Sequence, residues 1–315
     1  MDFRLSADQD ALMTAVDKLA AQFATKPTEF RGFALEAPEL ERELADGQYF
    51  DIARVPELGP LAAAMVVERM ARLPCTAEIA LSMLVLPQLP GEWPRPLALV
   101  ENGRPGRFVS GAATVLVLDD ESIRIVRPRP DAVKPVESLF AYPMGRLKED
   151  AAATIPLADG DAARVRKWLR IALAAEASGL LHATVAAAVE HLSTRKQFGR
   201  PLGTFQALRH RMAECAVLAG GVRWLALKAA ASGDAGDAAL AALHAQEGAA
   251  RVVYDTHQML AAMGMTLEHP LHLWTYRLKA LQSELDGRGG QARAVARECF
   301  GVDPELEHAR ANRGG

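Results

Sequence analysis

Apolar residues recur every three or four positions at the start of the chain. Leu12, Ala15, Val16, Leu19 and Phe23 fall on one helical face. Just ahead, Ser6-Ala-Asp-Gln9 reads as a capping box: the serine hydroxyl takes an orphan backbone N–H and the glutamine reaches back. Shorter helical stretches follow over 39–44 and 60–73, the second opening on a proline suited to a first helical position. The apolar run 77–86 fits a buried helix, although periodicity alone does not decide its type.

Between Pro94 and Pro143 prolines become frequent and β-branched runs appear at 97–100, 107–110, 114–118 and 122–126. Turn signals at Asn102-Gly103, Pro105-Gly106 and Asp119-Asp120 separate them and predict a small antiparallel sheet. From Asp161 the pattern is helical again: Val165, Trp168, Leu169, Ala172 and Leu173 begin a stripe that continues through Leu180, Leu181 and Thr184 to Leu192. A polar loop with Gly199, Pro201 and Gly203 leads to a second long helix over 205–231, broken by Ser232-Gly-Asp-Ala-Gly236. A third helix covers 237–263 and stops at Gly264, and a shorter one covers 291–300. Long helices with short connections imply an antiparallel bundle. The expected fold is mainly α with a small β domain: helices over 1–92, a β domain over 93–155 and a helical bundle over 156–315.

Composition narrows the function. A net charge of −3 argues against a nucleic-acid partner, which needs broad positive charge. Cys75, Cys215 and Cys299 stand far apart, as expected for free thiols in a reducing compartment, and point to the cytoplasm. The opening MDFRLSADQD has no basic-then-apolar signal, and no apolar run approaches the membrane-spanning length of about 20 residues, so no membrane association is expected. No Gly-Lys-Ser/Thr loop, Gly-x-Ser-x-Gly elbow, His-Glu-x-x-His or paired Cys-x-x-Cys occurs. His269 and His272 flank Pro270 without an accompanying carboxylate or thiolate cluster, so no metal site is expected. Gly287 to Gly290 is glycine-rich, but no strand leads into it as a dinucleotide fingerprint requires.

One segment carries more. Thr194-Arg-Lys-Gln-Phe-Gly-Arg-Pro-Leu-Gly-Thr-Phe-Gln206 joins two long helices and resembles the Arg-x-Gln-Phe-Gly…Phe-Gln signature of acyl-CoA dehydrogenases. Met1-Asp-Phe-Arg-Leu-Ser-Ala-Asp-Gln9 is similar to the family's opening, and Arg170 lies upstream where the family tends to have an arginine. Gln258-Met-Leu-Ala-Ala-Met-Gly-Met-Thr-Leu-Glu-His-Pro270 resembles Gln-x-x-Gly-Gly-x-Gly-aromatic-x-x-Glu-x-Pro. The stretch from Tyr276-Arg277 through Leu285-Asp286-Gly287 to Arg293 resembles Tyr-Arg-Asp…Tyr-Glu-Gly…Gln-Arg. The resemblance implies three domains: N-terminal helices, a reduced middle sheet and a C-terminal four-helix bundle. It also implies FAD lying between two subunits. Arg195 would pair with its pyrophosphate, which a five-donor guanidinium suits. Gln197 and Gln206 would hydrogen-bond phosphate or adenosine groups, Phe198 and Phe205 would supply apolar walls, and Gln258 with the backbone around Ala261 and Ala262 would close over the diphosphate. The alternative for the loop is a solvated basic face of Arg195, Lys196 and Arg200.

The departures from the family are as informative. The flavin-covering Thr-Glu-x-x-x-Gly-Ser-Asp and Trp-x-Thr/Ser stretches are not visible between Pro94 and Pro143, and the first domain looks shortened. The family's two positions for a proton-abstracting glutamate fall on Asp286, a methylene shorter, and on Leu169, which has no basic group. Asp286-Gly287 is also an ordinary turn pair. The resemblance therefore implies the small, degenerate subunit of an α2β2 heterotetramer of the bacterial steroid-degradation type. A larger subunit would hold the flavin ring, a bulky acyl-CoA and the base, with an electron-transfer flavoprotein as acceptor and FAD shared between the two chains. Two alternatives stay open: a self-sufficient homomeric dehydrogenase with Asp286 as base, and a non-catalytic helical scaffold.

Overall fold

A computed structural model describes residues 4–26, 35–119, 122–148 and 154–302. Met1 to Phe3 of the family-like opening and Asp120 of one expected turn lie outside those residues. Four helices lead the chain: α1 (Ala7–Gln22), α2 (Pro38–Asp46), α3 (Gly59–Ala71) and α4 (Ala80–Leu84). The capping box forms, with Gln9 N–H donating to Ser6 Oγ at 3.2 Å and Ser6 N–H donating to Gln9 Oε1 at 3.1 Å. The run 77–86 is helical over only the five residues of α4. The buried Glu78 carboxylate starts that turn by accepting the Leu81 and Ser82 N–H groups, and Pro87 stops it. Burial, above all, pushes the Glu78 pKa up to about 7.

The middle of the chain corrects the expectation of one antiparallel sheet. Seven strands, β1 (Leu97–Glu101), β2 (Gly106–Arg107), β3 (Thr114–Asp119), β4 (Ser122–Val126), β5 (Val133–Val136), β6 (Met144–Leu147) and β7 (Thr154–Pro156), form two sheets ordered β1-β3-β4-β7 and β2-β6-β5. β1 and β3 are parallel, from Leu97 opposite Thr114 to Glu101 opposite Leu118. The turns at 102–106 carry the chain off the first sheet into β2, so that it re-enters beside β1 running in the same direction. The run 107–110 is strand only at Arg107. Phe108 then turns left-handed (φ 60°) and a 3-10 turn follows over Val109–Gly111. A Cβ on Gly106 would lie 1.9 Å from the Leu99 carbonyl oxygen, so only glycine lets the two sheets cross this closely.

The C-terminal half contains α5 (Asp159–Thr194), the two-stranded hairpin β8 (Lys196–Gln197) and β9 (Arg200–Pro201), then α6 (Gln206–Ser232), α7 (Ala235–Leu260), α8 (His272–Leu281) and α9 (Gly287–Phe300). The bundle rests on α5, α6 and α7, packed on one another, with α8 against α5 and α7 and α9 against α7. Helix α8 escapes periodicity because it is short and buried on nearly every side, with the polar His272, Thr275 and Arg277 buried beside its apolar residues, so no apolar stripe marks one face. α5, about 54 Å long by its 36 residues, also takes α3 on its flank. Gly179 makes that possible, since a Cβ there would lie 2.1 Å from the Glu68 carbonyl oxygen. Trp274 Nε1–H donates to the Arg72 carbonyl (2.9 Å), and the buried Arg277 donates to the Cys75 carbonyl (3.1 Å), tying α8 to the end of α3.

Against the expectation of no apolar run near membrane-spanning length, two helices among the described residues meet the length and composition of a span: α5 and α6, with mean hydropathy 1.4 and 1.2 in their most apolar windows. Of those windows, 72% is buried inside the protein for α5 but only 39% for α6. α5 is thus a core strut, whereas α6 leaves Val217 and Trp224 in the open.

Candidate functional site

The Arg195–Gln206 segment is built as a rigid projection. α5 ends where the Arg195 N–H donates to the His191 carbonyl (2.9 Å), and the Leu202 N–H donates back to the Arg195 carbonyl (2.9 Å). Between them Lys196 pairs with Pro201 and Gln197 with Arg200. At the tip, Phe198 (φ 54°) and Gly199 (φ 78°) both adopt the left-handed backbone that a two-residue hairpin requires. The Phe198 ring is 89% exposed and meets Phe205 edge-on at 6.0 Å, and the Arg200 guanidinium lies 4.2 Å over the Phe205 ring. Arg195, Lys196, Gln197 and Arg200 are exposed. Gln206 opens α6, also exposed, with its amide 3.4 Å from His210. Cationic donors, a side-chain amide and an uncovered aromatic therefore share one projection, the donor set that a diphosphate joined to a flat base calls for.

Gln258 and Ala262 are exposed where α7 runs into the 3-10 turn Ala261–Met265. Ala261 has φ 50° and ψ −130°, a conformation natural to glycine and strained for alanine. The turn has kept the glycine-type backbone while gaining a methyl group at its surface.

Asp286 sits in a different environment. Leu285, Asp286 and Gly287 all have positive φ (53°, 62° and 61°), and this turn is held from several sides. Leu285 N–H donates to Glu101 Oε1 at 2.7 Å, and Gln246 Nε2 donates to the carbonyls of Leu281 and Glu284, each at 2.8 Å. Gln291 Nε2 donates to the Leu285 carbonyl (2.7 Å) while its Oε1 accepts from Arg170 Nε (3.1 Å). The Asp286 carboxylate itself is exposed, and Leu169, the other position considered for a base, is buried among apolar side chains.

Behind this turn, where β1 and β2 meet α5, lies a buried ionic cluster that the sequence reading missed. Arg107 donates to both Glu176 oxygens at 3.0 Å and to Glu284, and lies 4.6 Å over the Tyr142 ring; the Tyr142 hydroxyl donates to Glu176 at 2.6 Å. Burial works against the Arg107 charge, but Glu176 and Glu284 outweigh it and raise its pKa well above the ordinary value. Burial, reinforced by Glu284, pushes Glu101 up to about 8. Glu176 was visible as a lone carboxylate in the alanine run of α5, but nothing local named its partner, 69 residues away.

The cluster leaves little room. The adjoining cavities measure about 10, 20 and 80 Å³, against the several hundred Å³ of a typical cofactor pocket. A roomier space of about 250 Å³ lies elsewhere, between Ala37, Thr76, Pro96, Phe108 and Pro143. Its charged lining is Glu36, Glu41 and Glu78, which would repel phosphates. The cavities beside the cluster are thus too small for a flavin ring, whereas the exposed donors of the hairpin and of the turn after α7 are open to an anionic ligand.

Residues 163–288 match the family described as "Acyl-CoA dehydrogenase, C-terminal domain". Acyl-CoA dehydrogenase FadE34 of Mycobacterium tuberculosis is 31% identical over 228 residues, covering 66% of this chain and 32% of that protein. The match thus spans about a third of that relative's length. Among solved structures, the ChsE4–ChsE5 complex from Mycobacterium tuberculosis superposes with a TM-score of 0.74 at 22% identity, covering 96% of this chain and 100% of that one. A Tcur3481–Tcur3483 steroid ACAD variant gives 0.74 at 22%, covering 93% and 97%. At these identities the superpositions establish a shared fold.

Proposed function

Because the chain belongs to the acyl-CoA dehydrogenase family, we propose that it is the small subunit of a heteromeric FAD-dependent acyl-CoA dehydrogenase, paired with a larger related subunit as α2β2. The observation that carries this reading is a contrast within the chain. The Arg195–Gln206 hairpin projects its donors and the Phe198 ring outward, while the cleft behind Asp286 is filled by Arg107, Glu176, Glu284 and Tyr142. A subunit that lends the adenosine-diphosphate contacts to a neighbour's cofactor, and holds no ring of its own, has this division. In that complex Arg195 would pair with the diphosphate, Gln197 and Gln206 would hydrogen-bond phosphate or adenosine, and Phe198 and Phe205 would wall the base. Gln258 and the turn at Ala261 and Ala262 would close over the diphosphate. When bound, the flavin supplies the hydride acceptor for forming an α,β double bond in an acyl-CoA. The larger subunit would supply the base and the acyl pocket, with an electron-transfer flavoprotein as final acceptor. A bulky, steroid-derived acyl group is favoured by the likeness of fold to a steroid ACAD. A cytoplasmic setting agrees with three unpaired thiols.

The test is flavin stoichiometry on the chain purified alone and with its larger partner. About one FAD per pair of unlike chains, and none on the lone chain, is expected; stoichiometric FAD on the lone chain overturns the reading. The clamped turn around Asp286 favours a second reading, in which the chain acts alone with Asp286 as base. That reading requires acyl-CoA-dependent dye reduction by the lone chain, abolished by Asp286→Asn.

A further inference from the structure

The two segments assigned above to the diphosphate come from different helices, α5 and α7, and must reach one ligand together. We propose that His191 and His269 are positioning residues that join them, setting the hairpin at a fixed distance from the turn that follows α7; this rests on the cofactor-anchoring reading above.

The joint is visible in the geometry. The His191 carbonyl accepts the Arg195 N–H at 2.9 Å and the Thr194 hydroxyl at 3.3 Å, so the root of the hairpin hangs on this residue. Its ring meets the His269 ring edge-on, with centroids 5.1 Å apart and planes at 89°. His269 is fixed in turn: its Nδ1 accepts the Leu271 N–H at 3.2 Å, and its carbonyl accepts from His272 Nδ1–H at 2.8 Å. The His272 ring packs edge-on against Tyr276 within α8. A continuous path therefore leads from the hairpin root, through two rings, into the start of α8, at the end of the loop that begins at Ala261.

The hydrogen bond from Leu271 occupies the Nδ1 lone pair, so the joint needs His269 neutral. The surroundings keep it so. His269 faces His191 and Glu190 from α5, Lys26 from beyond α1, and His272 from α8, while His191 faces Arg195. Glu190 is the one carboxylate in that set and is 3.5 Å from Lys26. Burial first, then these cations, bring His269 down to about 4, and burial and Arg195 lower His191. The sign follows. A ring held neutral in the fold contributes fully above its ordinary value near 6.5, and the contribution is lost as pH falls toward 4. Protonation would break the Leu271 bond and set cationic rings against each other. A diphosphate held by Arg195 alone keeps its charge over this range, so acid loosening is a signature of the joint and not of the anchor.

The experiment reads amide hydrogen exchange over residues 195–202 in the full chain, and FAD retained by the assembled complex. His269→Ala and His191→Ala, which cut the contact from opposite sides, are each expected to speed exchange across the hairpin at least tenfold and to lower FAD retention. His269→Tyr keeps an edge-on ring but no acceptor for the Leu271 N–H and no titrating nitrogen, so it should restore part of the hairpin protection and hold that part unchanged as the pH falls. The native chain should lose that protection between pH 6.5 and 4, while His269→Tyr should not. Exchange within twofold of the native rate in both alanine variants, or protection unchanged down to pH 4, overturns the joint. Arg195→Ala separates the two claims: unchanged FAD retention there sinks the anchoring role, while the exchange measurement still decides whether the rings hold the hairpin.

Discussion

Replacing Arg107 by Met asks whether the cleft behind Asp286 is sealed. Arg107 is 8% exposed and is shared between Glu176 and Glu284, whose side chains are 12% and 18% exposed. Methionine removes the guanidinium and leaves two carboxylates out of water, Glu176 with the Tyr142 hydroxyl and only the more distant Arg277 charge, and Glu284 without its cation. Breaking a buried pair by deleting one partner costs about 3–5 kcal/mol, because the surviving charge stays buried and uncompensated. A chain of 315 residues should have a urea slope near the steep end of the range, about 3 kcal/mol/M, so the unfolding midpoint should fall by about 1–2 M. The companion variant carries Glu176→Gln and Glu284→Gln as well. Neutral amides are far cheaper to bury than lone carboxylates, so it should recover more than half of the loss. Equilibrium urea unfolding at pH 7, followed by far-UV circular dichroism, reads both. A loss under about 1 kcal/mol for Arg107→Met would mean that water reaches the cluster. The cleft would then be open to a ligand, and the division of labour proposed above would lose its support.

Three further outcomes are expected. Ala261→Gly should raise the thermal unfolding midpoint, gaining about 0.5–1 kcal/mol once the entropy of the added glycine is set against the relieved backbone; a fall would show that the left-handed turn is not strained. Glu101, held up to about 8, binds its proton more tightly folded than unfolded, so its contribution is complete below about pH 4.5 and gone above about pH 8. Glu101→Gln should therefore flatten the decline of stability between those limits, and an identical pH profile would refute the assignment. Phe198→Ser should change the stability of the lone chain by no more than about 0.5 kcal/mol, since the ring is almost uncovered, yet weaken association with the partner; unchanged association would mark the ring as idle.

Local signals carried much of the fold. The Ser6–Gln9 capping box, the stripe of α5 and the break at Ser232–Gly236 each depend on a few neighbouring residues, and each appears where the pattern set it. What escaped was non-local. The parallel pairing of β1 with β3 depends on where the chain goes between them, and β5 to β7 are only three or four residues long, with Pro135 inside β5 and Pro156 ending β7, so alternation had nothing to act on. The site divides the same way. The residues of the hairpin and of the turn at Ala261 lie within short motifs and could be read in order. Arg107, Glu176 and Glu284 are single charges scattered over 177 residues, and only folding makes them a cluster. The joint between His191 and His269 belongs with these, since neither ring signals the other in the chain.

The tie between α8 and the end of α3 has a consequence for how the chain is made. Trp274 and Arg277 bind the carbonyls of Arg72, Leu73 and Cys75 across about 200 residues of sequence, and α3 meanwhile lies along α5. At 5–20 residues per second, the N-terminal helices leave the ribosome on the order of ten seconds or more before the surface that receives them exists. During that interval the carbonyls of Arg72, Leu73 and Cys75 lack the Trp274 and Arg277 donors that they meet in the finished protein. The end of α3 therefore completes its contacts late, and a growing chain stalled before residue 274 would leave it open to chaperones even though α1 to α7 had all been translated.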